Sequence, residues 1–547
     1  MMIRNFWRIT TFCLLFSTMA YAQEKISWAE EMTHTAMKLW KDPQVTGISG
    51  FPKWSYDEGV VLKGIQGVWQ LTGNGDYFRY IQHSMDAFVG KDGSIATYRP
   101  KSYKLDDINT GKMFLMLYRV TGQQKYWKAA SLLRDQLRTQ PRTEGGGFWH
   151  KKIYAHQMWL DGLYMAEPFY AEYAMVARED SDYADIARQF ILMESHSRDP
   201  KTGLLYHGWD ASRQQKWANK VTGDSPNFWD RAIGWYAMAL VDALDYFPAG
   251  NSYRDSLTGI LNRLAAAITQ YQDPASGCWY QVMDKKGSPG NYLEASGSCM
   301  FVYALAKGVR KGYLPSRYLQ VAEKGFKGIL TKFIDRDANG QLNLKGTCAV
   351  AGLGGSPYRD GSYAYYVRQR PVTNDPKGIG AFILAADEMQ IVGLQAGGSR
   401  KTVTLDNYFN HELKKGITGQ EVSFHYVWDD MANSGFSLWG DIFRFRGAKT
   451  NLLEKAPTRK DLRGSDVYII VDPDTKAESP DPHYIGPKDI KAIYRWVKKG
   501  GTLVLMANDS DNCEFTHFNK LAGKFGIHFN GDSRNRVQGH AFEQGAL

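Results

Sequence analysis

The stretch GVWQLTGNGDYFRYIQ, Gly67 to Gln82, passes from an apolar segment through a Thr-Gly turn into a polar-faced one. LYRVTGQQKYWKAA, Leu117 to Ala130, repeats the same order. Working outward, polar-faced helical segments fall at about 26–41, 75–90, 124–139, 180–195, 253–271 and 316–334. Apolar segments rich in aromatic and small residues fall between them, at about 57–72, 107–121, 157–176, 229–246, 295–312 and 377–390. An amphipathic helix must bury its stripe against a neighbour, and a helix that is apolar nearly all round must lie inside. Six outer helices around six inner ones meet both demands, which predicts a mainly α fold, an (α/α)6 barrel. An open helical solenoid has the same repeat logic and stays as the alternative. Aromatic residues crowd the loops that precede the inner segments, which favours closure.

At 547 residues the chain is long enough for a large toroidal domain and a smaller one. Its 43% hydrophobic and 23% charged residues are those of a soluble globular protein. No stretch after the N-terminus reads as a membrane span. The net charge of +10 suits an acidic partner, but no basic run is concentrated anywhere, so an acidic sugar polymer fits better than nucleic acid. The first residues, MMIRNFWRITTFCLLFSTMAYAQ, join a basic start, an apolar middle and the small-residue site Ala20-Tyr21-Ala22. That pattern predicts a signal peptide over 1–22 and a periplasmic or secreted mature chain, free of the membrane once the leader is removed. Cys278, Cys299, Cys348 and Cys513 are widely spaced and read as buried small residues; neither a metal site nor a disulfide scaffold is expected.

The helical pattern of residues 23–394 breaks at a linker, Gln395 to Lys401. Beyond it VYIIV (467–471), KDIKAIYRWVKK (488–499) and TLVLMAN (502–508) form a β, α, Gly-Gly, β unit, which predicts a smaller α/β domain over 402–547 with a parallel sheet. This unit is similar to class I glutamine-amidotransferase-like domains. Cys513, in NDSDNCEF, lacks the tight strand-to-helix turn that a nucleophile needs there, so the domain is expected to be non-catalytic. The chain stops at AFEQGAL soon after the last strand, and an incomplete second domain is one expectation.

Four clusters carry candidate chemistry, each at the start of an inner segment. YAHQMWLDGLYMAEPFYAEYA sets Asp161 just inside an otherwise apolar, aromatic helix, where an unpartnered carboxylate is costly. Surrounded by Trp159, Tyr164 and Met165, its carboxyl is expected to rise until it can act as an acid near neutral pH. The bland account is an ordinary helix-start acid. KLDDINTGKMFLMLY places Asp106 and Asp107 before another inner helix, where an N-cap role competes. GGGFWHKK offers His150 and Lys151 after a Gly-rich turn, which could equally be a surface loop. In SPNFWDRAIGWYAMAL, Arg231 lies between Trp229 and Trp235, a set suited to a sugar carboxylate between indoles, against core packing. Because inner-helix starts converge at one end of a barrel, the four clusters together point to a site.

The motifs DDINTGK, HKKIYAHQMWLDGLYM, LLYHGWD, FWDRAIGW and AGLGGSPYRDGSYAYY resemble those of glycoside hydrolase family 105, the unsaturated rhamnogalacturonyl hydrolases. More distantly they resemble the unsaturated glucuronyl hydrolases of family 88. The resemblance covers about 28–392. It implies that Asp161 is the general acid/base, that Asp106 is a second acid supporting the substrate, and that His150, Lys151, Trp159, His207, Trp229, Arg231 and Trp235 line the sugar pocket. Tyr56, in FPKWSYDEG, matches with shifted spacing. The implied reaction hydrates the double bond of a Δ4,5-unsaturated uronic acid at the non-reducing end of a pectin-derived (rhamnogalacturonan) oligosaccharide, with no metal or other cofactor. Two alternatives stay open: an inverting glycosidase with Asp106 and Asp161 as its carboxylate pair, and a non-catalytic protein that binds acidic glycans.

Overall fold

The computed structural model describes residues 26–41, 53–398 and 400–531; the leader read at 1–22 and the end of the chain from 532 lie outside them. The inner ring consists of α2 (Tyr56–Thr72), α4 (Gly111–Thr121), α6 (Leu160–Ala177), α8 (Asp230–Ala243), α10 (Ala295–Arg310) and α13 (Pro376–Ala396). The outer ring is α1 (Trp28–Leu39), α3 (Gly75–Asp86), α5 (Gln124–Thr139), α7 (Asp182–Ser197), α9 (Arg254–Gln270) and α11 (Arg317–Lys332). A short helix, α12 (Tyr363–Val367), lies in the connection before α13. Each inner helix packs on the next, and α13 returns to pack on α2. This closing contact makes the molecule an (α/α)6 barrel and excludes the open solenoid. The closure is tight: a Cβ on Gly380 would sit 2.6 Å from the Val60 carbonyl oxygen.

The repeated Thr-Gly turn has a physical basis. Gly73 (φ 70°) and Gly122 (φ 67°) end α2 and α4 in the left-handed conformation. Thr72 and Thr121 donate their hydroxyl hydrogens back to the carbonyls of Val68 (2.8 Å) and Leu117 (2.7 Å). The chain thereby reverses sharply from an inner helix into its outer partner. Helix α8 is buried along its whole length, as its composition requires. The last inner helix departs from expectation in two ways. It runs to Ala396, into the expected linker, and it is long and apolar enough to cross a membrane by composition alone. Its position between α10 and α2 shows why: it is a core helix of the ring.

Among its described residues the second unit has a four-stranded sheet in the order Lys449–Leu453, Thr402–Asp406, Val467–Val471, Thr502–Met506, with every neighbouring pair parallel. Helices α14 (Ser437–Phe445), α15 (Pro487–Val497) and α16 (Phe515–Ala522) accompany it. Cys513 is buried and burial pushes its thiol up, so it stays protonated. The unit meets the barrel at the C-terminal ends of inner helices: Arg119 of α4 donates to the Asp429 carbonyl (3.3 Å), Thr418 to the carbonyl of Ala177 in α6 (3.3 Å), and Gln395 of α13 to the Arg444 carbonyl (2.8 Å).

Candidate active site

The N-terminal ends of the inner helices form the opposite rim. Asp57 of α2 approaches Lys377 of α13 to 3.6 Å, and Arg231 of α8 approaches Glu294, the N-cap of α10, to 4.0 Å. Backbone bonds lace the loops before these helices into a continuous rim. Leu105 N–H donates to the His150 carbonyl (3.1 Å), His150 to Gln157 (2.8 Å), Leu160 to His207 (3.0 Å), Asp230 to Gln281 (3.1 Å) and Ala295 to Gly346 (3.0 Å). A two-stranded antiparallel ribbon, Gln157–Trp159 with Gly208–Asp210, sets Trp159 opposite Gly208 and so brings His207 to the start of α6. The sequence predicts helix from 157; the first three residues are strand because Trp159 ends extended (ψ 148°) as the N-cap of α6.

Asp161 is the second residue of α6, its side chain 15% exposed, and its Oδ2 lies 3.1 Å from His207 Nε2. The other nitrogen of that ring, Nδ1, is 2.7 Å from the Tyr366 hydroxyl. Burial pushes the Asp161 carboxyl up, but His207, with His150 behind it, outweighs burial and holds the carboxyl below its ordinary range. This corrects the expectation of a carboxyl raised by apolar walls: the indole and methionine neighbours are present, yet an imidazole faces the acid directly.

Asp106 lies in a 3-10 turn, Leu105–Ile108, ahead of α4. Lys151 Nζ contacts its Oδ2 at 2.5 Å and His150 Nε2 approaches Oδ1 to 3.4 Å. Here too burial raises the carboxyl and the cation wins, so Asp106 is an anion. Its neighbour Asp107 is pushed up to about 6, by burial first and then by the Asp106 charge. His150 is pushed down to about 4 by burial and is a neutral ring at neutral pH, stacked on Trp159 at 4.5 Å between centroids. Tyr154 stacks on the same indole at 4.8 Å.

The structure thus gathers Asp161, Asp106, His150, Lys151, Trp159 and His207 at one rim, with Tyr56 half-buried at the start of α2. The cluster of Trp229, Arg231 and Trp235 is placed deeper than the sequence suggests, each being only 1% exposed. Trp235 stacks on Tyr164 at 4.8 Å, Trp229 lies 4.9 Å from the His207 ring, and the Arg231 guanidinium rests over Trp229 at 4.7 Å. Arg231 Nη1 donates to the Cys348 carbonyl at 2.5 Å and to the Ser296 hydroxyl at 3.3 Å, while its buried Nε has no hydrogen-bond partner among the described residues. Their burial matches that of His207 and His150, at 0% and 2%, so the three belong to the same buried layer of the site.

Three residues that sequence reasoning did not single out belong to the same assembly: Tyr154, Tyr366 and Arg359. Arg359 donates to the Tyr154 hydroxyl at 2.6 Å and its guanidinium lies 5.9 Å from the Trp159 ring. The signal was the motif AGLGGSPYRDGSYAYY, which carries both Arg359 and Tyr366 and ends ten residues before α13, as His150 lies ten residues before α6.

Comparison with known proteins agrees with this architecture. The signature of Glycosyl Hydrolase Family 88 matches residues 28–392. A solved family 105 glycoside hydrolase from C. acetobutylicum ATCC 824 is 44% identical, with a TM-score of 0.63 over 66% of this chain and 99% of that one. The unsaturated rhamnogalacturonyl hydrolase YesR of Bacillus subtilis is 29% identical over 273 residues, 49% of this chain and 73% of YesR. The unsaturated glucuronyl hydrolase of Bacillus sp. GL1 shares the fold at 14% identity, with a TM-score of 0.50 over 66% of this chain and 95% of that one. A barrel closed by α13 on α2, two carboxylates at its N-terminal rim and a family match across the whole barrel lead to one conclusion: the chain is a glycoside hydrolase and belongs to the family 88 and 105 group.

Proposed function

We propose that this enzyme releases a Δ4,5-unsaturated uronic acid from the non-reducing end of pectin-derived rhamnogalacturonan oligosaccharides by hydrating the double bond. The observation that carries the reading is the inequality of the two carboxylates. Asp106 is neutralised by Lys151 at 2.5 Å, whereas Asp161 faces only the imidazole of His207. An inverting glycosidase needs a free carboxylate on each side of the anomeric carbon. Hydration of an enol ether needs one group that gives a proton and later takes one.

In this reaction Asp161 donates its proton to C4, leaving positive character on C5 and the ring oxygen. The resulting carboxylate then accepts a proton from the water that attacks C5. The hydrated product is a hemiketal, which opens and expels the remaining saccharide. A substrate carboxylate near Asp161 adds negative charge, which raises its proton affinity, so Asp161 takes up a proton from water as substrate binds, and this is the proton that reaches C4. Lys151 and Arg231 offset the uronate charge, while Tyr56 and Trp159 contact the ring.

The test is loss of the ultraviolet band of the conjugated double bond when purified enzyme meets unsaturated rhamnogalacturonan disaccharide. Steady loss of the band supports the reading. Release of sugar from a saturated glycoside with the band of the unsaturated one unchanged would favour the inverting glycosidase, and tight binding without turnover of either would favour the glycan-binding protein.

A further inference from the structure

Tyr366, on α12, is fully buried. Among the described residues, the only hydrogen-bond partner of its hydroxyl is His207 Nδ1, at 2.7 Å. On the far side of the ring, Nε2 is buried and 3.1 Å from Asp161 Oδ2. That oxygen is also buried and has no other partner. The pair lies off the line of an ideal N–H···O bond, and among the described residues neither atom has a hydrogen-bond partner of good geometry.

A neutral imidazole carries one hydrogen, on either nitrogen, and a phenol carries one. If Nδ1 held the hydrogen and donated to Tyr366, the phenolic hydrogen would point at nothing, and the bare Nε2 lone pair would face a carboxylate. Two buried groups would then be unsatisfied. If Tyr366 donates to Nδ1, the phenol has its acceptor and the imidazole hydrogen sits on Nε2, 3.1 Å from the Asp161 carboxylate. We propose that Tyr366 is a positioning residue whose hydroxyl donates to His207 Nδ1 and holds the imidazole with its hydrogen on Nε2, directed at Asp161.

Burial raises the Tyr366 phenol well above its ordinary value, so it keeps its proton for this task. The residue is held firmly: Gln281 donates to its carbonyl at 3.3 Å, and Ser362 caps α12 by accepting from Tyr365 N–H at 3.1 Å. The charged and titratable groups that act on this array are Asp161, His150, Cys348, Tyr365 and Arg359. Trp159 and Trp229 flank the His207 ring at 5.4 and 4.9 Å and fix its plane.

The consequence lies in the second half of the reaction, and it rests on the reading of Asp161 as the group that gives and takes the proton. After donation Asp161 is an anion, and an Nε2–H beside it stabilises the form that must activate water. Without Tyr366, the imidazole can turn its lone pair to Asp161 and accept the carboxyl proton, so the acid form persists to higher pH.

Two measurements on the full chain test this. The first is 15N NMR of histidine-labelled protein, with the His207 signals assigned by their disappearance in His207→Gln. The wild type should show the Nε2–H form at neutral pH; an Nδ1–H form overturns the proposal, whatever the enzyme's substrate proves to be. The second is the pH–rate profile of Tyr366→Phe, which keeps the ring and its packing. A fall in kcat of about tenfold, the worth of one charge-assisted hydrogen bond, is expected with KM changed less than about twofold and the alkaline limb moved upward. An alkaline limb that stays in place or moves down overturns the proposal. Should Tyr366→Phe fail to fold, the wild-type spectrum decides alone.

Discussion

Replacing Asp161 by asparagine keeps its shape and removes both proton-transfer functions, so it isolates the chemistry assigned to this residue. One well-placed general acid or base contributes about 10²–10⁴-fold in rate. Asp161 serves in both proton transfers, and kcat should therefore fall by at least ~10³-fold, or ~4 kcal/mol at about 1.4 kcal/mol per decade. Its nearest polar neighbour is His207 at 3.1 Å, so binding loses little and KM should stay within about threefold. Stability gives an independent check. The folded carboxyl lies below its ordinary range, so its contribution is present above the unfolded value and is lost as pH falls through the folded one. Asp161→Asn should melt below the wild type at neutral pH, and the two should converge in acid. The assay follows the ultraviolet band of the unsaturated substrate, with Asp106→Asn in parallel. Because Lys151 holds Asp106 as an anion, its loss should act mainly on KM. If Asp161→Asn keeps more than about a tenth of wild-type kcat, or if Asp106→Asn costs kcat as much, the single-acid reasoning is wrong.

Lys151→Met leaves the Asp106 carboxylate, 18% exposed, with only His150 beside it. Orphaning a buried charge costs about 3–5 kcal/mol, and this exposure reduces the loss to ~2 kcal/mol at neutral pH; melts at two pH values should show the deficit shrink in acid, where the unpaired carboxyl protonates. Glu58 is fully buried with neither carboxyl oxygen partnered, and burial raises its carboxyl well above the ordinary value. Its contribution is present below the unfolded value and fades as pH rises, so Glu58→Gln should out-melt the wild type by a margin that grows with pH. Gly380→Ala forces a Cβ to within 2.6 Å of the Val60 carbonyl oxygen and should cost ~1–3 kcal/mol in a denaturant titration, with the far-UV spectrum unchanged.

The barrel was legible because its repeat is written in burial. The inner segments are apolar all round, and every one of the twelve helix positions read from the pattern holds a helix. Helix ends were less legible: α4 begins at Gly111 rather than 107 because a 3-10 turn precedes it, and that turn positions Asp106. At the site, Asp161 and Asp106 announced themselves as acids beside apolar runs. The partners of Asp106, namely His150 and Lys151, stood out in a cluster of their own, but His207 came only through the family resemblance and Tyr366 not at all, because they come from 46 and 205 residues downstream of Asp161, through ribbon pairing and a short helix that no periodicity marks. The same limit explains the misjudged carboxyl. Sequence supplied the aromatic neighbours of Asp161 but not the imidazole that faces it.

The rim also has an electrical character that no side chain confers. Six inner helices begin there, and the aligned peptide dipoles of each helix amount to about half a positive elementary charge at that end. Of the formal cations at the rim, Lys151 is paired with Asp106 and Lys377 with Asp375 at 2.8 Å, whereas Arg231 bonds the neutral Cys348 carbonyl and Arg359 the Tyr154 hydroxyl. For the carboxylated sugar proposed as substrate, the polypeptide itself adds to the pull of these cations. Peptide groups do not titrate, so this pull persists across the pH range in which the neighbouring acids and imidazoles change state. The described residues of the second unit dock at the negative ends of α4, α6 and α13, away from that pole.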